Sequence, residues 1–321
     1  MKNITLESEL KIGSEVSAAL DSGTPVIALE SNVIAHGLPF PQNLETLVQM
    51  ENAIRSAGAV PATIAVLDGK ILVGLEASQI HYFATTPGLA KVSSRDLPIV
   101  LATKESAVTT VAASLVAAEL AGIKFFASAG LGGVHRAAGS TFDISSDLIQ
   151  IARSNVIAVT AGVKKILDIG LTLEFLETHC IPCVTYQFDD FPAFYVRSSG
   201  FKSPCRMDSL LEISEAIDIH RTIGKGGFIV AAPIDEVDAI DEAVVEAAIV
   251  DASAQATREN VYGKGLTKFV MRSVNKATAG KSDAANAAVL ISNARLAAEL
   301  AVIHSARATN PSLTSIDRRI T

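Results

Sequence analysis

The chain alternates short apolar runs with longer segments of helical period. Residues 25–30 (PVIALE) read as a buried strand, and residues 43–57 as a helix stopped by Gly58. Residues 63–67, the Asp68-Gly69 pair and residues 71–74 read as a β-hairpin, because Asp-Gly supplies the positive φ that a two-residue hairpin turn needs. Residues 97–103 form a further apolar run. Residues 107–121 read as a helix closed by Gly122, 123–128 as a strand, 145–153 as a helix, 156–161 as a strand and 165–178 as a helix. Beyond these come a strand near 184–187, a helix over 209–222, a strand over 228–232, and helices near 241–257, 266–277 and 283–306.

Such alternation predicts an α/β fold of three layers, α/β/α, around a mostly parallel sheet, with the hairpin adding some antiparallel pairing. No internal repeat is visible, and no Pro-, Gly- or Ser-rich linker divides the chain. The expected organisation is therefore one large domain over residues 1–308, followed by a polar tail over 309–321.

Composition narrows the class. Of 321 residues, 49% are apolar and 19% charged, which excludes a disordered chain. Lys plus Arg is 27 and Asp plus Glu 34, so the net charge is 27 − 34 = −7. That balance argues against a nucleic-acid polymer as partner but leaves room for a small anion in a local pocket. Three cysteines, an odd number, do not suggest a disulfide framework. Residues 1–7 lack the apolar core of a signal peptide, and no uninterrupted apolar stretch reaches the roughly 18 residues of a membrane span. The expectation is a soluble, cytoplasmic protein without a membrane partner.

Several polar groups fall at predicted strand ends, where open α/β sheets gather their active sites. Glu30 closes the first apolar strand; desolvation there would raise its pKa and suit it to acid–base work, and a capping role is the alternative. Gly130-Leu131-Gly132-Gly133-Val134-His135-Arg136 follows a strand and lets backbone approach a ligand, or is simply a glycine-rich turn with a surface Arg. Asp143 and Asp147 flank the start of a helix, as ligands for a hydrated divalent cation or as caps. Ser145 and Ser146 place hydroxyls and N–H groups where a phosphate could bind. Lys164, past the strand over 156–161, is a candidate imine-forming amine or a surface charge, while Lys165 reads as a solvated helix residue. The segment from Lys91 through Arg95 to Asp96 suits a phosphate monoester, or is simply a solvated loop. Cys180-Ile181-Pro182-Cys183 enters a strand instead of opening a helix, so core packing is preferred to redox or zinc chemistry. Acidic residues over 235–251 read as a solvated helical face.

Taken in order, these segments resemble the pseudouridine-5′-phosphate glycosidase family, also called pseudouridylate synthase or indigoidine-synthase-A-like. The resemblance rests on Ala28-Leu29-Glu30-Ser31, His36-Gly37-Leu38-Pro39-Phe40-Pro41, Lys91-Val92-Ser93, Thr109-Thr110-Val111-Ala112, Gly132-Gly133-Val134-His135-Arg136, Thr141-Phe142-Asp143-Ile144-Ser145 and Ala161-Gly162-Val163-Lys164. It implies reversible cleavage of the C–C glycosidic bond of pseudouridine 5′-phosphate, giving uracil and ribose 5-phosphate, with an imine on Lys164 and Glu30 as proton donor. It further implies substrate contacts at Lys91, Val111 (through its backbone), His135, Ser145, Ser146, Asp147 and Asn286, a manganese ion on Asp143, and a homotrimer. An aldolase-like lyase on another sugar phosphate and a non-catalytic metabolite-binding homologue are the competing readings. Departures from the family pattern are Asn32, Ala35, Ser94, Ala129, Ala137 and Lys165; none removes a group assigned to the chemistry.

Overall fold

In the N-terminal half of the computed structural model, β1 (Leu10–Ile12) leads through α1 (Ser14–Ser22) to β2 (Val26–Glu30), α2 (Gln42–Ser56), β3 (Val60–Leu67) and β4 (Lys70–Val73). Then follow α3 (Ala77–Thr85), β5 (Ala90–Val92), α4 (Leu97–Thr103), β6 (Ala107–Thr109), α5 (Val111–Leu120) and β7 (Phe125–Ala127). The second half contains α6 (Ala138–Thr141), α7 (Ser146–Arg153), β8 (Ile157–Thr160), α8 (Ile169–Thr178), β9 (Cys183–Tyr186), β10 (Arg206–Met207), α9 (Leu210–Ile223) and β11 (Phe228–Ala231). It closes with α10 (Glu242–Arg258), α11 (Lys264–Ala277) and α12 (Lys281–Thr309). Residues 9–261 and 264–309 are described; the polar tail expected beyond Thr309, and residues 1–7, lie outside them.

The strands join in one sheet of order β1-β4-β3-β2-β7-β8-β11-β9-β10, with β5 and β6 branching from β3. Only β3–β4 and β3–β6 are antiparallel; the other pairings are parallel. Every residue of β2, β7, β8 and β11 is buried, the signature of parallel strands covered on both faces. α12 lies over β2, β7 and β8 and packs on α2 and α9, whereas α5 lies over β2, β3 and β7 and packs on α7. The fold is thus the expected α/β/α arrangement around a mostly parallel, partly mixed sheet. By length and composition α12 could cross a membrane, but 56% of its most apolar stretch is buried inside the fold, as in a core helix.

One irregularity in the sheet shapes the site. Over Val60–Ile64 β3 pairs with β2, and Glu30 stands opposite Ile64. At the next two residues the same edge of β3 pairs with β6, Ala65 opposite Val108 and Val66 opposite Ala107. β2 and β6 therefore fork off one edge of β3 in opposite directions, their carboxyl ends meeting beside Glu30. Polar side chains hold the fork: Thr109 Oγ1 donates to Ile64 O (2.7 Å), and Ser31 Oγ accepts from Thr109 N–H (3.0 Å).

The Asp68-Gly69 hairpin forms as read, with φ of 50° and 72° at the two turn residues. Two local readings need correction. Residues 107–109 are strand β6 and not the first turn of a helix; Thr110 caps α5 only afterwards, its side chain accepting from Ala113 N–H. Ala-Val-Thr tolerates either state, and pairing with β3 and β5 decides it. The helix expected from 165 begins at Ile169, where the Asp168 carboxylate accepts from Leu171 N–H. The apolar run over 97–103 is helix α4, with Pro98 in its first turn.

Gly162, just past β8, has φ 73°, and a Cβ there would strike the Pro192 carbonyl. Gly162→Ala therefore combines left-handed strain with overpacking, and is expected to lower unfolding free energy by about 2–4 kcal/mol in denaturant titration. An unchanged midpoint would show that the 190s loop yields freely.

Candidate active site

The site assembles from loops that leave the carboxyl ends of β2, β7 and β8. Glu30 ends β2 and is 8% exposed. Ser128, the first polar residue after β7, donates from Oγ to Glu30 Oε1 (2.5 Å). Asn293 on α12 steadies this junction by donating to Ser128 O (2.8 Å). Burial pushes the Glu30 carboxyl above its usual range; the charge of Lys164, the Ser128 bond and the charge of Lys91 oppose that shift, and Asp147 adds to it. Lys91, Asp147 and Lys164, which come from three further segments, thus all lie close enough to Glu30 for their charges to act on it.

The glycine loop after β7 is lashed to the loop after β8. Leu131 N–H donates to Gly162 O (2.9 Å), and Lys164 N–H returns to Leu131 O (3.2 Å). Lys164 is half-buried at this seam, beside the glycine turn, and does not project into bulk solvent. Its neighbour Lys165 departs from the reading as a solvated helix residue. It is 8% exposed in its side chain, lies in the turn before α8, and donates to Glu242 (2.6 Å). Arg136 likewise forks onto Glu246 (2.5 and 2.9 Å) and donates to Lys165 O. Two acids of the face read as solvated therefore anchor α10 to the site loops.

His135 is half-buried, with Nδ1 3.8 Å from Asp143 Oδ2 and N–H on Asp143 O (3.0 Å). Burial and the Lys164 charge hold its imidazole below the usual histidine range, against the pull of Asp143. Ser145 caps α7: its N–H donates to Gly133 O and its Oγ accepts from Asp147 N–H. Ser146 Oγ meets Ser93 Oγ at 2.6 Å, which joins α7 to the segment carrying Lys91. Asp147 accepts Ala112 N–H on one oxygen and Gly132 N–H on the other, both at 3.0 Å. Its carboxylate thereby locks the start of α5, where Val111 is the first residue, against the glycine loop. A Cβ at Gly132 would collide with the Ser145 side chain, so the glycine is required by close approach.

After β2 the chain makes one π-helical turn, Val33–Gly37, of a kind frequent at functional sites. Asn43 donates to Ile34 O and Ala84 O, and His36 Nε2 lies 3.0 Å from Leu89 O, so the turn is tied to α3 and to the residue before β5. Asn286, on α12, brings its Nδ2 to 3.9 Å from where a Cβ at Gly37 would stand. Asn32 Oδ1 and Asn286 Oδ1 are buried without a hydrogen-bond partner. Ser128, Asn293 and His36 were not singled out from sequence as site residues. Only Ser128 left a signal, as a hydroxyl closing an apolar strand at the same end as Glu30.

Among the described residues no three His, Cys, Asp or Glu side chains cluster as a metal cage. The half-exposed Asp143 carboxylate fits the one arrangement left, a hard divalent ion held by a single carboxylate and completed by water. Arg95 points outward, its side chain 73% exposed and paired with Asp96. Burial pushes the Cys183 thiol up to about 12, so it packs and does not react; Cys180 and Cys205 are exposed.

A buried acid within electrostatic reach of a lysine, at the carboxyl ends of strands of an open α/β sheet, has the layout of an α/β enzyme site. The pattern of the indigoidine synthase A like protein family matches residues 15–303, and the chain belongs to that family. It is 58% identical over 296 residues to a protein of Serratia proteamaculans (strain 568) named pseudouridine-5′-phosphate glycosidase, covering 92% of this chain and 96% of that one. A protein of the same name from Dickeya dadantii (strain 3937) is 53% identical, covering 92% and 94%. Among solved structures, the prealnumycin C-glycosynthase AlnA in complex with ribulose 5-phosphate superposes with a TM-score of 0.87 at 41% identity, covering 94% of this chain and 98% of AlnA. An indigoidine synthase A-like protein of Thermotoga maritima superposes at 0.84 with 31% identity, covering 92% and 96%.

The electrostatics of Glu30 can be tested directly. Ser128→Ala removes a bond that favours the carboxylate, and Lys164→Met removes a favourable charge, so each variant should titrate Glu30 at higher pH than the native protein. Carboxyl carbon NMR of glutamate-labelled protein reads this, and an unmoved titration in both would break the pairing. The folded value lies above the unfolded 4.5, so the buried proton favours the fold most below about 4.5. That contribution fades as pH rises through the folded value.

Proposed function

We propose that this protein reversibly cleaves the C–C glycosidic bond of pseudouridine 5′-phosphate to uracil and ribose 5-phosphate. The observation that carries this reading is the buried Glu30, its carboxyl pushed above the usual range by burial, with half-buried Lys164 close enough for its charge to act on it. The names of relatives at 53–58% identity support the substrate, and a C-glycosynthase neighbour bound to a pentulose phosphate supports the chemical class.

A carbon–carbon glycosidic bond offers no leaving oxygen to protonate, so a pair of carboxylates alone is poorly suited to it. Opening the ribose ring breaks the bond between C1′ and the ring oxygen: the oxygen keeps the bonding pair and takes a proton to become the C4′ hydroxyl, while the base loses its N1 proton and closes a C=C bond to C1′, which leaves C1′ electrophilic. The Lys164 amine adds there. Its nitrogen lone pair then closes a C=N bond as the carbon–carbon electron pair departs with the base, whose carbon takes a proton from Glu30. Water releases ribose 5-phosphate from the imine. In the synthetic direction that water is lost, which places the reaction among hydro-lyases.

Lys91, Ser145, Ser146, Asp147 and the Val111 backbone are assigned to the phosphate and sugar, whose remote binding energy holds the reacting carbon in place. His135 and Asn286 are assigned to the substrate nearby. Asp143 would hold a hydrated divalent ion, manganese in this reading. When bound, it would supply positive charge beside the anionic substrate. A homotrimer in the cytoplasm completes the proposal.

The test is uracil release from pseudouridine 5′-phosphate, followed by absorbance with and without added manganese. Lys164→Ala is expected to abolish release while the circular dichroism stays native. Glu30→Gln should lower kcat by roughly 10²–10⁴. Borohydride with ribose 5-phosphate should label Lys164 in the native protein and nothing in the variant. Retained turnover in Lys164→Ala rejects the mechanism, and turnover only on other sugar phosphates would favour an aldolase-like lyase.

A further inference from the structure

Helix α11, KGLTKFVMRSVNKA, has no acidic side chain, in a chain of net charge −7. Lys268, Arg272 and Lys276 succeed one another at four-residue spacing and so line up along one face. All three are exposed, and none has a carboxylate partner among the described residues. Like charges at this spacing disfavour a helix, so local helix energetics do not account for the array. The three cations form one wall of a groove of about 440 Å³ between α10 and α11, which Gln255, Phe269 and Ser273 help to line.

Contacts made by α11 lead toward the candidate active site. On α11, Met271 receives a hydrogen bond from the Tyr195 hydroxyl (3.1 Å). Tyr195 adjoins Phe194, whose ring closes over Gly130 at the head of the glycine loop. Lys268 also acts on the imidazole of His36, and so does Lys91 of the candidate site. One cation of the groove and one of the site thus share a neighbour. A surface potential of this kind raises the local concentration of an anion and its rate of arrival, most strongly at low ionic strength.

We propose that the basic wall of α11 captures the phosphate of the phosphorylated substrate and steers it to Lys91, against the repulsion of a negatively charged protein. This rests on the function proposed above and adds a route of entry to it. The partner is a small phosphorylated sugar or nucleoside; uncharged nucleosides gain nothing from the groove.

The test compares the native enzyme with the triple variant Lys268→Gln, Arg272→Gln, Lys276→Gln and with a charge-conserving triple Lys268→Arg, Arg272→Lys, Lys276→Arg. Initial rates on pseudouridine 5′-phosphate are measured from ~10 mM to ~500 mM ionic strength. The neutral variant is expected to lose kcat/KM by roughly threefold to tenfold at the low end, with kcat changed by less than about twofold. The loss should vanish at the high end, and the charge-conserving variant should follow the native curve. Superimposable salt dependence of native and neutral enzymes overturns the proposal. So does a loss of kcat that persists at high salt, which would mark a structural defect. Failure of the functional reading is seen separately, in native enzyme that releases no uracil.

Discussion

Burying a carboxylate at the end of a parallel strand is unfavourable unless the group keeps a proton or finds donors and cations around it. At Glu30 burial favours the protonated form, while a donor and two cations oppose that shift. Its place where the ends of β2 and β6 meet along β3 removes it from water, and Ser128, Lys164 and Lys91 converge on it. The fork exists because β3 changes partners midway. That change is held by Ser31 and Thr109, two small polar residues adjacent to the site and buried beneath it.

The remaining architecture serves to keep those charges at close range. The glycine loop after β7, the turn after β8 and the start of α7 are joined by backbone hydrogen bonds. They permit approaches that a side chain at Gly132 or Gly162 would block. Asp147 spends both oxygens on backbone N–H groups, so its anion is fixed in position and its charge reaches Glu30 without a direct bond. Outside this layer, Lys165 and Arg136 tie α10 to the same loops through Glu242 and Glu246. Helices late in the chain thereby buttress a site built mainly from its first half.

Most elements were legible because periodicity survives in an aliphatic chain: the hairpin, α2, α7, β8, α9 and the three C-terminal helices fall within a few residues of their expected limits. The errors cluster where short segments carry residues that suit two states. Ala107-Val108-Thr109 lies within an alanine-rich helical pattern and becomes strand through pairing with two neighbours. Lys165 follows a lysine in a sequence of helical aspect and is drawn out of solvent by an exposed carboxylate 77 residues away.

Sequence alone determined the layered α/β class, the strand ends where polar groups collect, and the family, since hydrophobic period and ordered motifs are local properties of the chain. It also named Glu30, Lys91, Asp143, Asp147 and Lys164 one at a time, each with a bland alternative. Only the tertiary structure decided that Lys91, Asp147 and Lys164 act on Glu30, that Asp143 sits beside His135 instead, and that Ser128, Asn293 and His36 support them. The reason is physical. Electrostatic influence depends on distance and burial, and both are set by which strands pair and where one of them changes partner.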